Sequence, residues 1–326
     1  MVKSNHLNRS VLSVRSPDRI FVRVHGEKAC AGPIGGMDMQ VWNRTSLIDE
    51  PEVGIGTIRF TYGTAFGRIL AKGILCRRFV SNAYAAWQRS PLSRPKVKKF
   101  IARYGIDVSD CTQREFSDFN AFFTRQKKNY VNQTQENELP AIADSKLLAL
   151  PIAQDSRFAI KGVPYTVAEL LENEAEAKRF DGGLCLIFRL SPDDYHRYAY
   201  PDGGTQEQTR LIPGVLHTVN PIAAGLKVYR RNTRRCTLLH TERFGDVMQI
   251  EVGALLVGKI LNHCETPCRV EKLQEKGYFA YGGSTVILLM QKDAVQIDED
   301  ILRYSAQGIE TKLTLGEKIG TAAFGT

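Results

Sequence analysis

The stretch Tyr278-Phe-Ala-Tyr-Gly-Gly-Ser-Thr-Val-Ile-Leu-Leu289 sets a Gly-Gly-Ser-Thr turn directly against a strongly apolar run. Thr285–Met290 (TVILLM) is short, uncharged and rich in branched aliphatics, which predicts a strand that begins as soon as the turn ends. Working outward, Leu184–Leu190 (LCLIFRL) and Met248–Val257 (MQIEVGALLV) have the same character, and turn-forming residues break the chain between them. One short helix is predicted at Val167–Lys178, VAELLENEAEAK. From Ser145 onward the pattern is therefore that of a β-rich domain, whereas the chain before it reads differently.

The turn itself can carry chemistry. A serine hydroxyl placed after two glycines can attack the preceding carbonyl, because a residue without Cβ leaves room for the approach and tolerates a strained turn. The peptide then shifts to an ester, β-elimination breaks the chain, and the new N-terminus hydrolyses to a pyruvoyl group. A strand immediately downstream would hold the hydroxyl in near-attack geometry. Taken alone, a Gly-Gly-Ser-Thr segment is simply a turn, so the rest of the chain must decide.

Charge is concentrated in one block. Arg59–Tyr104 holds eleven Lys and Arg and no Asp or Glu, more than the net +9 of all 326 residues. The remainder is close to neutral, which argues against a uniformly basic nucleic-acid-binding surface and for one local anionic partner. Within the block Tyr62, Phe66, Ile69, Leu70 and Ile74 recur at helical spacing, with Arg68 and Lys72 on another face and Arg77 and Arg78 following. Pro91 and Pro95 separate this from a second basic helix around Lys96–Tyr104. Aromatics beside basic residues fit a helix lying on a membrane interface; the plainer alternative is a helix packed on its own domain with a solvated basic face. Residues 1–57 read as an irregular extension: Gly54-Ile-Gly56 lacks the strand, helix and third glycine of a dinucleotide site, and the start has no apolar core of a secretory signal. No apolar run reaches the roughly 20 residues that span a bilayer. Seven scattered cysteines predict reduced thiols rather than a disulfide framework. His263, Cys264 and Cys268 lack a second ligand pair at zinc spacing, so no metal is expected.

Further blocks fall in a fixed order. Phe119–Arg125 reads FNAFFTR; Ala143-Asp144-Ser145 lies in PAIADSKLLALP; Arg189–Pro201 reads RLSPDDYHRYAYP. Then come Gly214-Val-Leu-His-Thr-Val-Asn-Pro221, His240-Thr-Glu-Arg-Phe-Gly245, Val252-Gly-Ala-Leu-Leu-Val-Gly-Lys259 and Glu275-Lys-Gly-Tyr-Phe279, which leads into the Gly-Gly-Ser-Thr turn. In this order, over roughly residues 57–320, the chain resembles the phosphatidylserine decarboxylase family.

The residue reading and the resemblance together imply an α+β protein in three parts: an irregular extension (1–57), a basic helical membrane-associating region (58–130) and a β-rich catalytic domain (131–326). It implies self-cleavage between Gly283 and Ser284 into a large β chain (1–283) and a small α chain (284–326), with Ser284 becoming the pyruvoyl cofactor. Phosphatidylserine would then lose its serine carboxylate as CO2 through a Schiff base with that group, leaving phosphatidylethanolamine. Asp144 is implied to help activate Ser284, and His196, with Asp194 beside it, to contact the substrate carboxylate or move a proton. Arg68, Lys72, Arg77 and Arg78 would hold the enzyme peripherally on an anionic leaflet, at the cytoplasmic face of the cell membrane. Besides the lipid and its own cleaved chains, a homo-oligomer stays open as a partner, and no nucleic acid is expected.

Two departures bear on this. Many members carry a second histidine three positions after the first, assigned to self-cleavage; that position is Ala199, which leaves His196 or His217 as the histidine available to assist. The proline-rich run that usually follows the Phe-Phe-x-Arg block is replaced by QKKNYVNQ at Gln126–Gln133. Two alternatives therefore stand beside the main reading: a pyruvoyl-dependent decarboxylase of a soluble amino acid, and a processing-defective membrane-binding paralogue.

Overall fold

Ser284–Met290 forms a strand in which all seven residues are buried, flanked on both sides by antiparallel partners. An uninterrupted apolar run suits that place, since a strand covered on both faces has no polar side to alternate with. The computed structural model describes residues 40–50, 86–128, 132–160, 163–215, 228–254, 259–280 and 284–323. The predicted helical stretch through Arg68, Lys72, Arg77 and Arg78 lies outside the described residues, as do His217 and Gly283.

Strands are numbered along the chain. The main sheet has eleven strands, ten of them in the order β14 (Cys268–Val270), β9 (Gly204–Gln206), β11 (Arg234–Thr241), β12 (Asp246–Val252), β16 (Ser284–Met290), β7 (Leu184–Leu190), β4 (Ser145–Pro151), β18 (Glu310–Leu313), β1 (Gln40–Trp42) and β2 (Leu47–Asp49). The eleventh, β10 (Arg210–Ile212), pairs with β11. A second sheet orders β13 (Ile260–Asn262), β15 (Glu275–Phe279) and β8 (Arg197–Ala199). A third orders β17 (Val295–Ile297), β19 (Lys318–Ala322) and β3 (Glu138–Pro140), and β5 (Arg157–Ile160) pairs with β6 (Val163–Thr166). The main core is built on β4, β7, β11, β12 and β16, whose inward Leu, Ile, Val and Phe residues form one continuous cluster.

Helices are short and sit around this framework. After a 3-10 turn at Pro91–Ser93, α1 (Arg94–Tyr104) runs to Gly105, whose left-handed φ of 61° ends it. Asp118 caps α2 (Phe119–Phe123) by accepting from Ala121 N–H at 2.8 Å. Ser93 Oγ, anchored in the turn before α1, accepts from Phe119 N–H at 2.8 Å, so the two helices are tied end to end. Val97, Phe116, Phe119, Phe122 and Phe123 form their own small cluster. The other α-helices among the described residues are α3 (Val167–Leu171), α4 (Glu174–Ala177), α5 (Val228–Arg231) and α6 (Glu299–Ser305).

The structure is thus mixed, with a strand-rich domain, and differs from expectation in three places. The helix predicted as one piece over Val167–Lys178 is two: Glu172 turns left-handed at φ 50° and Asn173 caps a fresh start. The strand expected over Met248–Val257 begins at Asp246 and pairs only to Val252, where Gly253 follows. Residues 40–49, read as part of an irregular extension, are a hairpin on the main sheet, with β1 parallel to β18. Arg44 fastens it, donating to Asp298 at 2.7 Å and to Asp300 at 3.1 Å, while Trp42 stacks on Tyr304 with ring centroids 4.3 Å apart.

Candidate active site

Ser284 is the first residue of β16 and is fully buried, with its backbone opposite Leu190 of β7. Its Oγ has no hydrogen-bond partner among the described residues. A buried hydroxyl without a partner loses its water contacts with nothing in return, so it is a costly thing to keep unless it has another use.

The expected motifs meet one another on α2, the segment before β8, and β15. His196 precedes β8 and is fully buried. Its carbonyl accepts from Phe279 N–H at 2.9 Å, at the end of the strand that leads to the Gly-Gly-Ser-Thr turn. Its ring lies on Phe123 of α2, centroids 3.8 Å apart. His196 Nδ1 is 3.0 Å from the Asp194 carbonyl. A carbonyl only accepts, so in the neutral ring Nδ1 carries the proton and Nε2 the lone pair. Arg197 ties three blocks together: it donates to the Thr124 and Arg125 carbonyls at 2.8 and 3.0 Å and pairs with Glu275 at 2.6 Å. Glu275 opens β15, so FNAFFTR, DYHR and EKGYF meet at one guanidinium.

Asp144 sits in the turn before β4. Its Oδ1 accepts from Leu315 N–H at 2.7 Å and its Oδ2 from Lys127 Nζ at 3.1 Å. Lys127 belongs to the run that replaces the expected prolines, and its backbone N–H also donates to Tyr195 Oη at 3.1 Å. Ala199, where many relatives have a histidine, packs with Tyr195, Leu273 and Leu315 and has only a methyl group to offer. Asp194 accepts from Lys146 Nζ at 2.6 Å and from Ser191 N–H at 2.7 Å. Burial pushes its carboxyl up to about 6, Lys146 opposing and Asp193 adding to the rise.

Asp194 and His196 are therefore adjacent, and Asp144 joins them through Lys127 and Tyr195. Among the described residues no hydrogen bond links Ser284 Oγ to any of them. Several functional-looking groups gave no sign in the sequence. Glu50, Lys146, Arg189, Glu310 and Asp194 make a buried ion cluster, and of these Glu50 and Glu310 lie in none of the recognised motifs. The charge inside an apolar run at Arg189 was the one available signal, since a buried cation demands buried carboxylates.

Comparison with known proteins decides the family. The sequence model of the phosphatidylserine decarboxylase family matches residues 119–321. The chain is 42% identical to phosphatidylserine decarboxylase proenzyme 2 of Clostridium acetobutylicum over 291 residues, 87% of this chain and 99% of that protein. This chain belongs to the phosphatidylserine decarboxylase family. Other members it is similar to are the proenzymes of Clostridium perfringens, at 37% over 86% of the chain and 99% of that protein, and of Ruminiclostridium cellulolyticum, at 38% over 86% and 97%. The family is one of carboxy-lyases made as proenzymes, and the match takes in FNAFFTR, Asp144, DYHR and Ser284 alike.

Proposed function

We propose that the chain cleaves itself between Gly283 and Ser284 and then decarboxylates phosphatidylserine to phosphatidylethanolamine. The observation that carries this reading is Ser284 itself, a buried hydroxyl with no hydrogen-bond partner among the described residues, at the head of a fixed strand. Its Oγ attacks the Gly283 carbonyl, the acyl group moves from nitrogen to oxygen, and loss of the Ser284 α-proton expels the Gly283 carboxylate. The dehydroalanine left on the small chain takes up water and releases ammonia, leaving a pyruvoyl group. The residues present fit such a group: the Ser284 backbone that would carry it is paired with Leu190 of β7 and followed by Thr285 paired with Val252 of β12, and the position is fully buried.

Once formed, the pyruvoyl group supplies an electrophilic ketone for the substrate amine and a sink for the electrons left when CO2 departs. The chain's own residues supply the rest. His196, fixed by the Asp194 carbonyl on one side and Phe123 on the other, is the group we assign to deliver a proton to the substrate carbon. Asp144 is the carboxylate assigned to processing, kept in place by Leu315 N–H and Lys127. With Ala199 inert, His196 is the histidine we assign to turnover, and His217 the one to processing.

The enzyme attaches peripherally to an anionic membrane surface through the region 58–130, on the cytoplasmic face. Among the described residues no helix is long and apolar enough to cross a membrane. The described end of the acid-free block supports interfacial contact, because Leu92, between Arg89 and Arg94, is 79% exposed, and Trp87, just before Arg89, is 39% exposed.

The reading is tested by supplying purified enzyme with phosphatidylserine vesicles and, separately, with free amino acids, and measuring CO2. Release from the vesicles alone supports it. Release from a free amino acid such as tryptophan alone would replace it with the soluble-substrate alternative.

A further inference from the structure

Glu50 lies well outside the stretch matched by the family's sequence model. Nevertheless its carboxylate reaches the strand facing the nucleophile. Oε2 accepts from Arg189 Nη2 at 2.8 Å, Oε1 accepts from Ser191 Oγ at 2.8 Å, and Lys146 Nζ stands 3.8 Å away. Leu190, between Arg189 and Ser191, is the cross-strand partner of Ser284. One carboxylate therefore grips both neighbours of the residue opposite the proposed cleavage site.

The grip is shared. Glu310 Oε2 accepts from Arg189 on the other side, with 2.5 Å to Nη2. Asp194 holds Ser191 by its backbone N–H while Glu50 holds it by its hydroxyl, so the turn that leads to His196 is fixed at its first residue. None of the five charged side chains is more than 10% exposed. Two cations face three carboxylates, an excess of one negative charge with little water to screen it. Asp194 is where that excess is relieved, because burial and Asp193 already favour its neutral form. Burial opposes ionisation of Glu50 too, but Arg189 and Lys146 overcome it and hold its carboxyl below the ordinary range.

We propose that Glu50 is a positioning residue for cleavage at Ser284: it fixes the end of β7 opposite the nucleophile and, as the third carboxylate against two cations, sets the pH below which cleavage fails. The inference rests on the self-cleavage reading of Ser284. Protonating Asp194 weakens its hold on Ser191 and Lys146, so cleavage falls as pH drops through about 6. The groups facing Asp194 are Lys146 of β4 with Glu50 behind it, Asp193 and His196 on its own segment, and Arg125, whose Nη2 is 3.4 Å from the Asp194 carbonyl. Of these, Glu50 is the negative charge that Glu50→Gln removes without changing shape. The cluster is then balanced with Asp194 ionised, so the carboxyl of Asp194 moves down.

The experiment follows self-cleavage of freshly translated full-length chain from pH 4.5 to 8, for wild type, Glu50→Gln and Glu50→Asp, with Ser284→Ala as the uncut control. Glu50→Gln is expected to cleave at least ~10-fold more slowly at pH 7.5, as loss of a buried charged hydrogen-bond partner implies, with its acid limb displaced to lower pH. Glu50→Asp keeps the charge and loses reach, so it slows while its acid limb stays with the wild type. A wild-type rate in Glu50→Gln overturns the proposal. A slower rate with an unmoved acid limb also overturns it, because a merely structural loss lowers the rate at every pH alike. Thermal melting reports folding, and if Glu50→Gln does not fold, Glu50→Asp decides the positioning role: a wild-type rate overturns it, and a slower rate in a folded chain supports it. Wild type that stays uncut at every pH overturns the self-cleavage reading instead, which separates the two failures.

Discussion

Lys276 and Glu251 are both fully buried, with Nζ 2.6 Å from Oε1, Thr237 Oγ1 2.9 Å from the same Nζ, and Asn262 Nδ2 3.2 Å from Glu251 Oε2. Burial lowers the Lys276 ammonium and Glu251 opposes that fall. Removing one partner leaves the other charge stranded, so Lys276→Met is expected to cost about 3–5 kcal/mol. The double variant Lys276→Met/Glu251→Leu should cost clearly less than the two single changes added together. Urea denaturation in the Ser284→Ala background, where cleavage cannot blur the transition, measures both. Strict additivity would show that the pair does not act as a unit. At this scale the sequence marks Ser284, Asp144 and His196 as candidates because each sits in a motif. The pairings of Glu50, Lys127 and Lys276 were not legible, even with Lys276 inside EKGYF, because their partners are 139, 17 and 25 positions away.

Among the elements, β7 and β16 were read directly from Leu184–Leu190 and Thr285–Met290, because a strand buried on both faces leaves a continuous apolar run between turn residues. The hairpin at β1 and β2 escaped for the opposite reason. Its strands are three residues each, and what makes them strands is pairing with β18 and the ion pairs of Arg44, both supplied by the far end of the chain. It is an edge element and should open on its own, ahead of the core strands. Arg44→Ala removes partly exposed pairs worth about 1 kcal/mol, enough for roughly 5-fold faster amide exchange across residues 40–50. Exchange in β16 should not change. Equal acceleration in both would mean that the hairpin opens only with the whole domain. Since Glu50 follows the hairpin directly, Arg44→Ala should also slow cleavage, though less than Glu50→Gln does.

Across the whole molecule, the basic residues gather in one block, and the strand-rich domain is near-neutral in composition. Substituting Arg68, Lys72, Arg77 and Arg78 by Gln together should weaken binding to anionic vesicles by about 4 kcal/mol at low salt, at about 1 kcal/mol for each basic residue near the surface. Salt should weaken the wild type in the same direction. Sedimentation with vesicles of anionic and of zwitterionic lipid makes the comparison; equal binding to both, indifferent to salt, would remove the electrostatic part. The measurement that goes most directly to the centre of the account is the intact mass of purified wild-type chain beside Ser284→Ala. The wild type should give two chains, one ending at Gly283 and one beginning at position 284 with a pyruvoyl group in place of serine, and Ser284→Ala a single inactive chain. A wild-type chain that remains whole and still decarboxylates phosphatidylserine would contradict it.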